Sequence, residues 1–252
     1  MYSVINMDIV SSRKIKDRAN FQEELKIYLK TLSKKYSKIL VAPITFTLGD
    51  EWQIVSSSPE KSYDIFKEIQ RYLFKKNIQV YCGIGIGDIS TNLSRDTREM
   101  DGEVFINGRE AINIAKKTKG FYGQNIKSKH NRVFFKGADL PIDLYNKFIL
   151  DEIAVTSEYD DNITLNQVIN SIIENNETIE SKFTEKQREL IDLYEKHGSY
   201  NNMISKDGNL SKSNISQRLN SCSYFLTVHN TRIIRLLLTT YIKIIERSSN
   251  VF

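Results

Sequence analysis

Hydrophobic positions follow two different periods in the first part of the chain. Short apolar runs of strand length alternate with longer segments in which apolar residues recur at helical spacing, as Phe21, Leu25 and Leu32 do. The pattern predicts strands at 4–10, 40–48, 51–56, 78–86 and 131–136, and helices at 17–36, 58–76 and 105–117. This order predicts an α+β sandwich of ferredoxin-like type, with helices on one face of an antiparallel sheet.

Beyond residue 140 the sequence reads as helical, and Pro141 is its last proline. Thr184 and Gln187 have the spacing of a capping box, and Gly198 follows the helix that they would open. The pattern predicts one helix that opens at Pro141. It predicts five more helices at 164–175, 184–197, 200–205, 212–224 and 232–247. We expect the stripe on 165–172 to be ordinary core, or a dimer contact if the chain itself leaves it uncovered.

Charge divides the chain into three blocks. Residues 1–150 carry 25 Lys and Arg against 17 Asp and Glu, a net +8; residues 151–180 carry eight acids and no Lys or Arg; residues 181–252 carry 11 basic and 6 acidic residues, a net +5. With the hydrophobic pattern, this division predicts a first domain at 1–138, a helical acidic connector at 139–180 and a second domain at 181–252. Basic blocks favour polyanionic partners, although an ordinary solvated surface explains most of them.

Composition limits the class of protein. The chain has 252 residues, 40% of them hydrophobic and 27% charged, which is typical of a globular protein with a real core. It has no apolar run of membrane-spanning length and no basic segment followed by a long apolar one, so we expect it in the cytoplasm. Cys82 and Cys222 are far apart, and neither a disulfide framework nor a zinc site is expected.

Two acidic positions carry the candidate chemistry. The segment 45–55, TFTLGDEWQIV, reads as a hairpin whose turn presents Asp50 and Glu51 to solvent. The first strand, VINMDIV, is apolar around Asp8, and a buried carboxylate needs a partner. If the two strands are neighbours, Asp8 and Asp50 converge, and their hard oxygens suit Mg²⁺ together with a nucleotide's phosphates. The alternative is a turn that uses Asp beside Gly for conformational reasons alone.

The fourth predicted strand ends in alternating glycines, Gly83, Gly85 and Gly87. Glycine at every second position leaves one face of a strand bare, so that a ligand or another backbone can approach closely. The spacing is not that of a Rossmann fingerprint, and no Lys-Ser/Thr follows as in a P-loop.

Three motifs, MDIVSS, LGDEWQIV and CGIGIGD, together resemble the palm domain of nucleotidyl and diguanylate cyclases over roughly residues 1–120. The resemblance implies that Asp8 and Asp50 hold two divalent ions, Mg²⁺ or Mn²⁺, with the Ile9 carbonyl contributing. It implies a nucleotide site formed by Ser11, Ser12, Arg13, Lys14, Phe46 and Asp101. Phe46 stands where adenylate cyclases carry a base-reading Lys.

The cyclase motif that supplies a transition-state Asn and Arg matches this sequence poorly. Asn107 and Arg109 are the catalytic candidates, and Asn113 and Lys117 fit equally well by spacing. Three alternatives therefore stay open: a working cyclase, a site that only binds a nucleotide, and a protein that binds none.

The whole chain also resembles the SatD family of bacterial proteins. The resemblance rests on DIVSSRKIKDR, TFTLGDEWQ, GIGIGDIST and DGEVFINGREA. It implies a cyclase-like palm domain joined to an all-α helix-turn-helix domain.

Residues 184–225 are the candidate helix-turn-helix. On its second helix, Ile215 and Leu219 mark the inner side. The polar side chains on the outer side are of types that bind base edges and phosphates in the major groove: Lys212, Ser213, Asn214, Gln217 and Arg218. The alternative is a helical bundle with a solvated face.

The sequence thus predicts a nucleotide-responsive, dimeric DNA-binding regulator, with an active nucleotide cyclase as the alternative. The acidic connector, attracted to both basic blocks, is expected to pack partly against the first domain and to set the spacing of two helix-turn-helix units in a dimer.

Overall fold

A computed structural model of the chain describes residues 1–117, 131–142, 163–206 and 211–249. Its strands are β1 (Tyr2–Ile9), β2 (Thr45–Leu48), β3 (Glu51–Ser56), β4 (Val80–Gly87) and β5 (Val133–Lys136). The helices in these ranges are α1 (Arg18–Lys35), α2 (Ser62–Phe74), α3 (Glu103–Lys116), α4 (Leu165–Glu180), α5 (Glu185–His197), α6 (Tyr200–Lys206), α7 (Lys212–Ser221) and α8 (Tyr224–Ser249). The α+β class is as predicted.

The strands form one sheet in the order β2-β3-β1-β4-β5. β1 lies at its centre and pairs antiparallel with both β3 and β4, which explains why this strand is apolar on both faces. β5 pairs parallel with β4, so the sheet is mixed and not purely antiparallel as predicted. β2 is shorter than the predicted 40–48, since Leu40 forms only an isolated bridge with Ser56.

Both faces of the sheet carry helices, so the prediction that helices cover one face is wrong. On one face, Ile5 and Met7 of β1 share a core with apolar residues of α1 and α2. On the other, α3 lies against β4 and β1. The period-2 pattern of β1 fixes which residues share a face, but it does not show which helix covers each one.

The alternating glycines of β4 are what lets α3 approach the sheet. A Cβ at Gly83 would lie 2.1 Å from the backbone nitrogen of Ile112, and a Cβ at Gly85 would lie 2.1 Å from that of Gly108. Any side chain there would displace the helix. The sequence left two partners open for this bare face of β4, a ligand or another backbone, and the backbone of α3 occupies it.

The central core also includes helices from the second half of the chain. Ile169 and Ile173 of α4 pack in the same core as Ile234, Leu238 and Tyr241 of α8. Leu165 and Ile172 of the stripe on 165–172 pack against this core and Ile169 is buried in it, as expected for ordinary core.

Pro141, where the sequence predicted a helix to open, forms an isolated antiparallel bridge with Thr164. Residues 143–162, which include most of that helix and the first part of the connector, fall outside the described residues.

Helices α5, α6 and α7 have a small core of their own. It is formed by Leu190, Ile191, Met203, Ile215, Leu219, Cys222 and Tyr224. The predicted caps are confirmed: Thr184 and Gln187 form a capping box, Gly198 ends α5 in the left-handed region at φ 72°, and the Ser211 side chain accepts from the backbone N–H of Asn214.

The last helix begins earlier than predicted. α8 starts at Tyr224 and not at residue 232, and Ser223, at φ 57°, separates it from α7. Its first turn contributes Tyr224 to the small core, while its middle lies in the central core. Among the helices that the structure describes, none is long and apolar enough to cross a membrane.

Candidate functional site

The candidate site lies where β1 ends beside the β2–β3 turn. Asp8 of β1 stands directly opposite Glu51 of β3 in the antiparallel register. The next residue, Ile9, donates its backbone N–H to the Asp50 carbonyl oxygen at 3.3 Å. The strand order therefore brings three acids, Asp8, Asp50 and Glu51, to one end of the sheet.

Asp8 has the partner that its position in a buried strand requires. The ammonium of Lys116, the last residue of α3, contacts one carboxylate oxygen of Asp8. The same ammonium lies 3.8 Å from a carboxylate oxygen of Glu51. The sequence predicted a partner for Asp8 but did not identify Lys116.

Glu51 is buried, whereas the sequence predicted it to be open to solvent in the hairpin turn. It is the first residue of β3 and faces α3, so only 6% of it is exposed. Arg109 of α3 donates to Glu51 at 3.1 Å between Nη1 and Oε1. Arg109, one of the two catalytic candidates, thus contacts the acid cluster at Glu51.

Asp50 makes different contacts from its neighbour. One of its carboxylate oxygens accepts a hydrogen bond from the buried Ser12 hydroxyl, just after β1. The turn is also held by α1, where the Gln22 side chain donates to the Gly49 carbonyl oxygen at 2.5 Å. Asp50 is half-buried, so its carboxylate is still partly accessible.

The segment after β1 presents its charges to water. Ser11, Arg13 and Lys14 are exposed, and Ser12–Lys14 forms a 3-10 turn. Ser11 adopts the left-handed region at φ 54°, which turns the chain sharply beside Asp50. Two cations are therefore exposed on the segment that also carries Ser12, the hydrogen-bond partner of Asp50.

Three other predicted site residues are placed away from the acids or in structural contacts. The buried Asn107 amide donates to the Ile86 carbonyl oxygen at 2.8 Å, so it holds α3 to β4. Phe46 packs edge-on against Trp52, with ring centroids 5.9 Å apart. Asp101 is exposed, and its carboxylate accepts from the Gly102 N–H.

Asp101 lies at the other end of the sheet from Asp8. The Asp101 loop adjoins the end of β4, where Gly87 pairs with Tyr2 at the start of β1. Asp8 is six residues further along β1, about 20 Å away at the rise of a strand. The structure does not bring Asp101 to the acid cluster.

Sequence reasoning missed one residue of the cluster, Lys116, although a signal for it was present. Arg109 and Lys116 are seven positions apart, so they lie two turns apart on one face of a helix. Of the alternative pair, Asn113 lies on the same stripe, between Arg109 and Lys116, and is exposed, whereas Lys117 lies outside it. Within the described part of the chain, no group of three or more His, Cys, Asp and Glu side chains is placed to hold a metal ion.

The outer side of α7 matches the prediction at four of five positions. Lys212, Ser213, Asn214 and Gln217 are exposed. Arg218 is half-buried, and its Nη2 donates to the Lys186 carbonyl oxygen at 3.1 Å, which ties α7 to the first turn of α5.

A second charged cluster joins α2 to α4. The buried Lys67 ammonium lies 3.1 Å from Glu177 and 2.5 Å from Glu180. Burial lowers the pKa of Lys67, but the two carboxylates outweigh it and leave the pKa raised. Burial and the charge of Glu180 raise the pKa of Glu177 despite its contact with Lys67.

A groove of about 1650 Å³ runs beside this second cluster, between α2 and α5. Two ion pairs cross it: Lys75 with Asp192 at 2.8 Å, and Arg71 with Glu195. The Arg188 guanidinium stacks over the Phe74 ring, 4.4 Å from its centroid. These contacts hold the small helical core against the sheet domain.

These features define an α+β protein with a charged site at one end of a five-stranded sheet and a separately packed group of three helices. The SatD family model matches residues 2–133, more than half of the chain, and the chain belongs to the SatD family. No curated protein matches it.

Proposed function

We propose that this protein is a nucleotide-responsive DNA-binding regulator. In this proposal residues 1–138 form a ferredoxin-like palm domain of the nucleotidyl-cyclase type that binds a nucleotide with Mg²⁺ or Mn²⁺. Residues 181–252 form the helix-turn-helix domain that binds double-stranded DNA. The protein acts in the cytoplasm as a homodimer.

The observation that carries the nucleotide proposal is the meeting of Asp8 and the β2–β3 turn at one end of the sheet. Asp8 and Asp50 offer the hard oxygen ligands that Mg²⁺ prefers, so their chemistry fits the ion. The ion would supply positive charge that neutralises and orients the phosphates. Arg13 and Lys14 are exposed on the segment that follows β1 and can neutralise the remaining phosphate charge.

The DNA proposal is supported by the independent core of α5, α6 and α7 and by the exposed row on α7. Lys212 can contact phosphate, and Asn214 and Gln217 can read adenine edges in the major groove. Ile215 and Leu219 are fully buried, which fixes the direction in which this row points.

The test of the nucleotide site is a titration with each NTP in the presence and absence of Mg²⁺ or Mn²⁺. Asp50→Asn should abolish metal-dependent binding while the fold survives. Asp101→Asn, which removes an exposed acid at the other end of the sheet, is the matched control and should bind as the wild type does. If Asp50→Asn shows metal-dependent NTP binding as strong as that of Asp101→Asn, the nucleotide proposal loses its basis.

The test of regulation is DNA affinity over genomic fragments, with and without each NTP plus Mg²⁺. A ligand shifts an equilibrium only if it binds the two states with different affinity. A ligand-dependent change in DNA affinity that disappears in Asp50→Asn supports the regulator. Identical DNA affinity with every nucleotide, in a protein that binds one, would mean that the two domains work independently.

The second candidate function is an active nucleotide cyclase. It is favoured by one contact, Arg109 beside Glu51, because a cation at the acid cluster could stabilise charge in a transition state. Incubation with each NTP and Mn²⁺, followed by assays for pyrophosphate and a cyclic product, separates catalysis from binding. Substantial turnover with any NTP would establish this second function.

A further inference from the structure

The Lys116 ammonium contacts Asp8, one of the two acids that would hold a divalent cation in the proposed function. We propose that Lys116 is the resident cation of the acid site: its ammonium neutralises Asp8 and Glu51 in the absence of metal, and an incoming divalent ion displaces it towards the phosphates of the bound nucleotide. This inference rests on the proposed function and adds to it a competition between a side chain and a metal.

The register of the strands creates the need for such a cation. Directly opposed residues on antiparallel strands have Cβ atoms about 5 Å apart, so Asp8 and Glu51 stand close together on one face. Two carboxylates at that range repel each other unless a cation is present. Lys116 contacts Asp8 and lies 3.8 Å from Glu51, so a single ammonium serves both.

The exposure of the side chains shows which contact can be exchanged. The Lys116 side chain is 34% exposed and that of Asp8 is 20% exposed, so the ammonium can move into water on its flexible stem. Glu51 is almost completely buried, and Arg109 pairs with it at 3.1 Å, so this acid has a second cation besides Lys116. Displacement therefore frees Asp8 for a metal without leaving a buried charge unpaired.

Nucleotide and metal should then strengthen each other's binding. A metal ion alone must compete with Lys116 for Asp8. A bound nucleotide gives the displaced ammonium a new partner in its phosphates, and this reduces the cost of displacement. Because linkage is reciprocal, the metal must tighten nucleotide binding by the same factor as the nucleotide tightens metal binding.

The experiment is a Mn²⁺ titration of the full chain, by calorimetry and by the electron paramagnetic resonance signal of free Mn²⁺, without and with an NTP. The variant is Lys116→Met. The matched control is Lys136→Met. The Lys136 side chain has a similar exposure, 35%, and pairs with Glu110 of α3, the helix that carries Lys116.

We expect Lys116→Met to bind Mn²⁺ alone about tenfold more tightly than the wild type, the scale on which a nearby unit charge shifts the proton affinity of a carboxylate. We expect the factor by which NTP raises the Mn²⁺ affinity, and Mn²⁺ the NTP affinity, to be smaller in Lys116→Met than in the wild type. Lys136→Met should match the wild type in both measurements.

Unchanged Mn²⁺ affinity in a folded Lys116→Met overturns the competition, and the proposed function still stands if Asp50→Asn abolishes metal-dependent nucleotide binding. Absence of Mn²⁺ binding from the wild type and Lys116→Met, with and without NTP, overturns both. If Lys116→Met does not fold, Lys116→Gln removes the charge but keeps a hydrogen-bond donor, and the same outcomes apply to it.

Discussion

Two clusters of the protein each contain a lysine close to two acids, but their surroundings differ, and the cluster around Lys116 also contains Arg109, which pairs with Glu51. Lys67 lies between Glu177 and Glu180 with all three side chains largely enclosed, the lysine side chain 9% exposed. Lys116 lies between Asp8 and Glu51 at the open end of the sheet, 34% exposed. The enclosed cluster joins two helices, whereas the open one faces water.

The difference shows that enclosure decides what a charged cluster can do. In the enclosed cluster the two acids are largely buried, and their contacts with Lys67 hold α2 to α4. In the open cluster the Lys116 and Asp8 side chains border water, with 34% and 20% of their surfaces exposed. The loss of stability on breaking an ion pair also differs between the two clusters, because a buried charge that loses its partner is not solvated by water.

The largest expected effect is on the enclosed cluster. Lys67→Met leaves two carboxylates without their cation and should lower the free energy of unfolding by about 3–5 kcal/mol. Lys116→Met should lower the free energy of unfolding by about 1 kcal/mol or less, because the partly exposed pair of Lys116 and Asp8 resembles a surface ion pair. Urea unfolding curves of the two variants check this contrast.

Glu177→Gln with Lys67→Met in one chain is the control for this result, since removing both partners should restore part of the lost stability. Equal losses of stability in the two lysine variants would break the distinction between the clusters.

The next effect concerns metal affinity and should be confined to the open cluster. Asp8→Asn should weaken Mn²⁺ binding in the presence of NTP at least tenfold, because it removes a charged oxygen ligand. Glu177→Gln removes an acid of the enclosed cluster and should leave Mn²⁺ binding unchanged. Calorimetric titration of both variants measures this, and weakened binding in Glu177→Gln would contradict it.

The same distinction between engaged and exposed cations applies on α7. Lys212→Ala should reduce the slope of log DNA affinity against log salt by about one, the loss of a single phosphate contact. Arg218→Ala should lower stability as well, since Arg218 donates to the Lys186 carbonyl oxygen. DNA titrations from low to high salt, with thermal unfolding of both variants, test this.

The smallest effect is a pH dependence from the enclosed cluster. The folded state raises the pKa of Glu177 above its ordinary value of 4.5, through burial and then the charge of Glu180. Its contribution to stability is therefore full below about pH 4.5 and is lost as the pH rises through the folded-state pKa. Glu177→Gln should gain stability relative to the wild type over that rise, as measured by urea unfolding. A constant difference between the two proteins at every pH would contradict it.

The parts of the fold that the sequence predicted are those set by local patterns. The order of strands and helices through residue 136 follows from apolar periodicity, and the caps at Thr184, Gly198 and Ser211 follow from residue types at fixed spacing. Each of these signals needs only a few neighbouring residues. The family was also predictable, because its motifs lie in short continuous segments.

The parts that the sequence did not predict depend on contacts between distant segments. The burial of Glu51 follows from α3, which lies more than fifty residues away in the chain. The parallel pairing of β5 and the contact of Lys116 with Asp8 are likewise long-range. A turn motif alone cannot distinguish an exposed acid from one that a later helix covers.

One helix has a mechanical consequence. α8 contains 26 residues in one unbroken element, so it is about 39 Å long at the rise of an α-helix. Its first turn is anchored beside α7 and its middle beside the sheet. It can therefore act as a stiff lever arm: a tilt of about 5° where it meets the sheet would carry an end about 20 Å away sideways by about 2 Å. Shifts of 1–2 Å are of the size by which packed helices slide in known switching proteins.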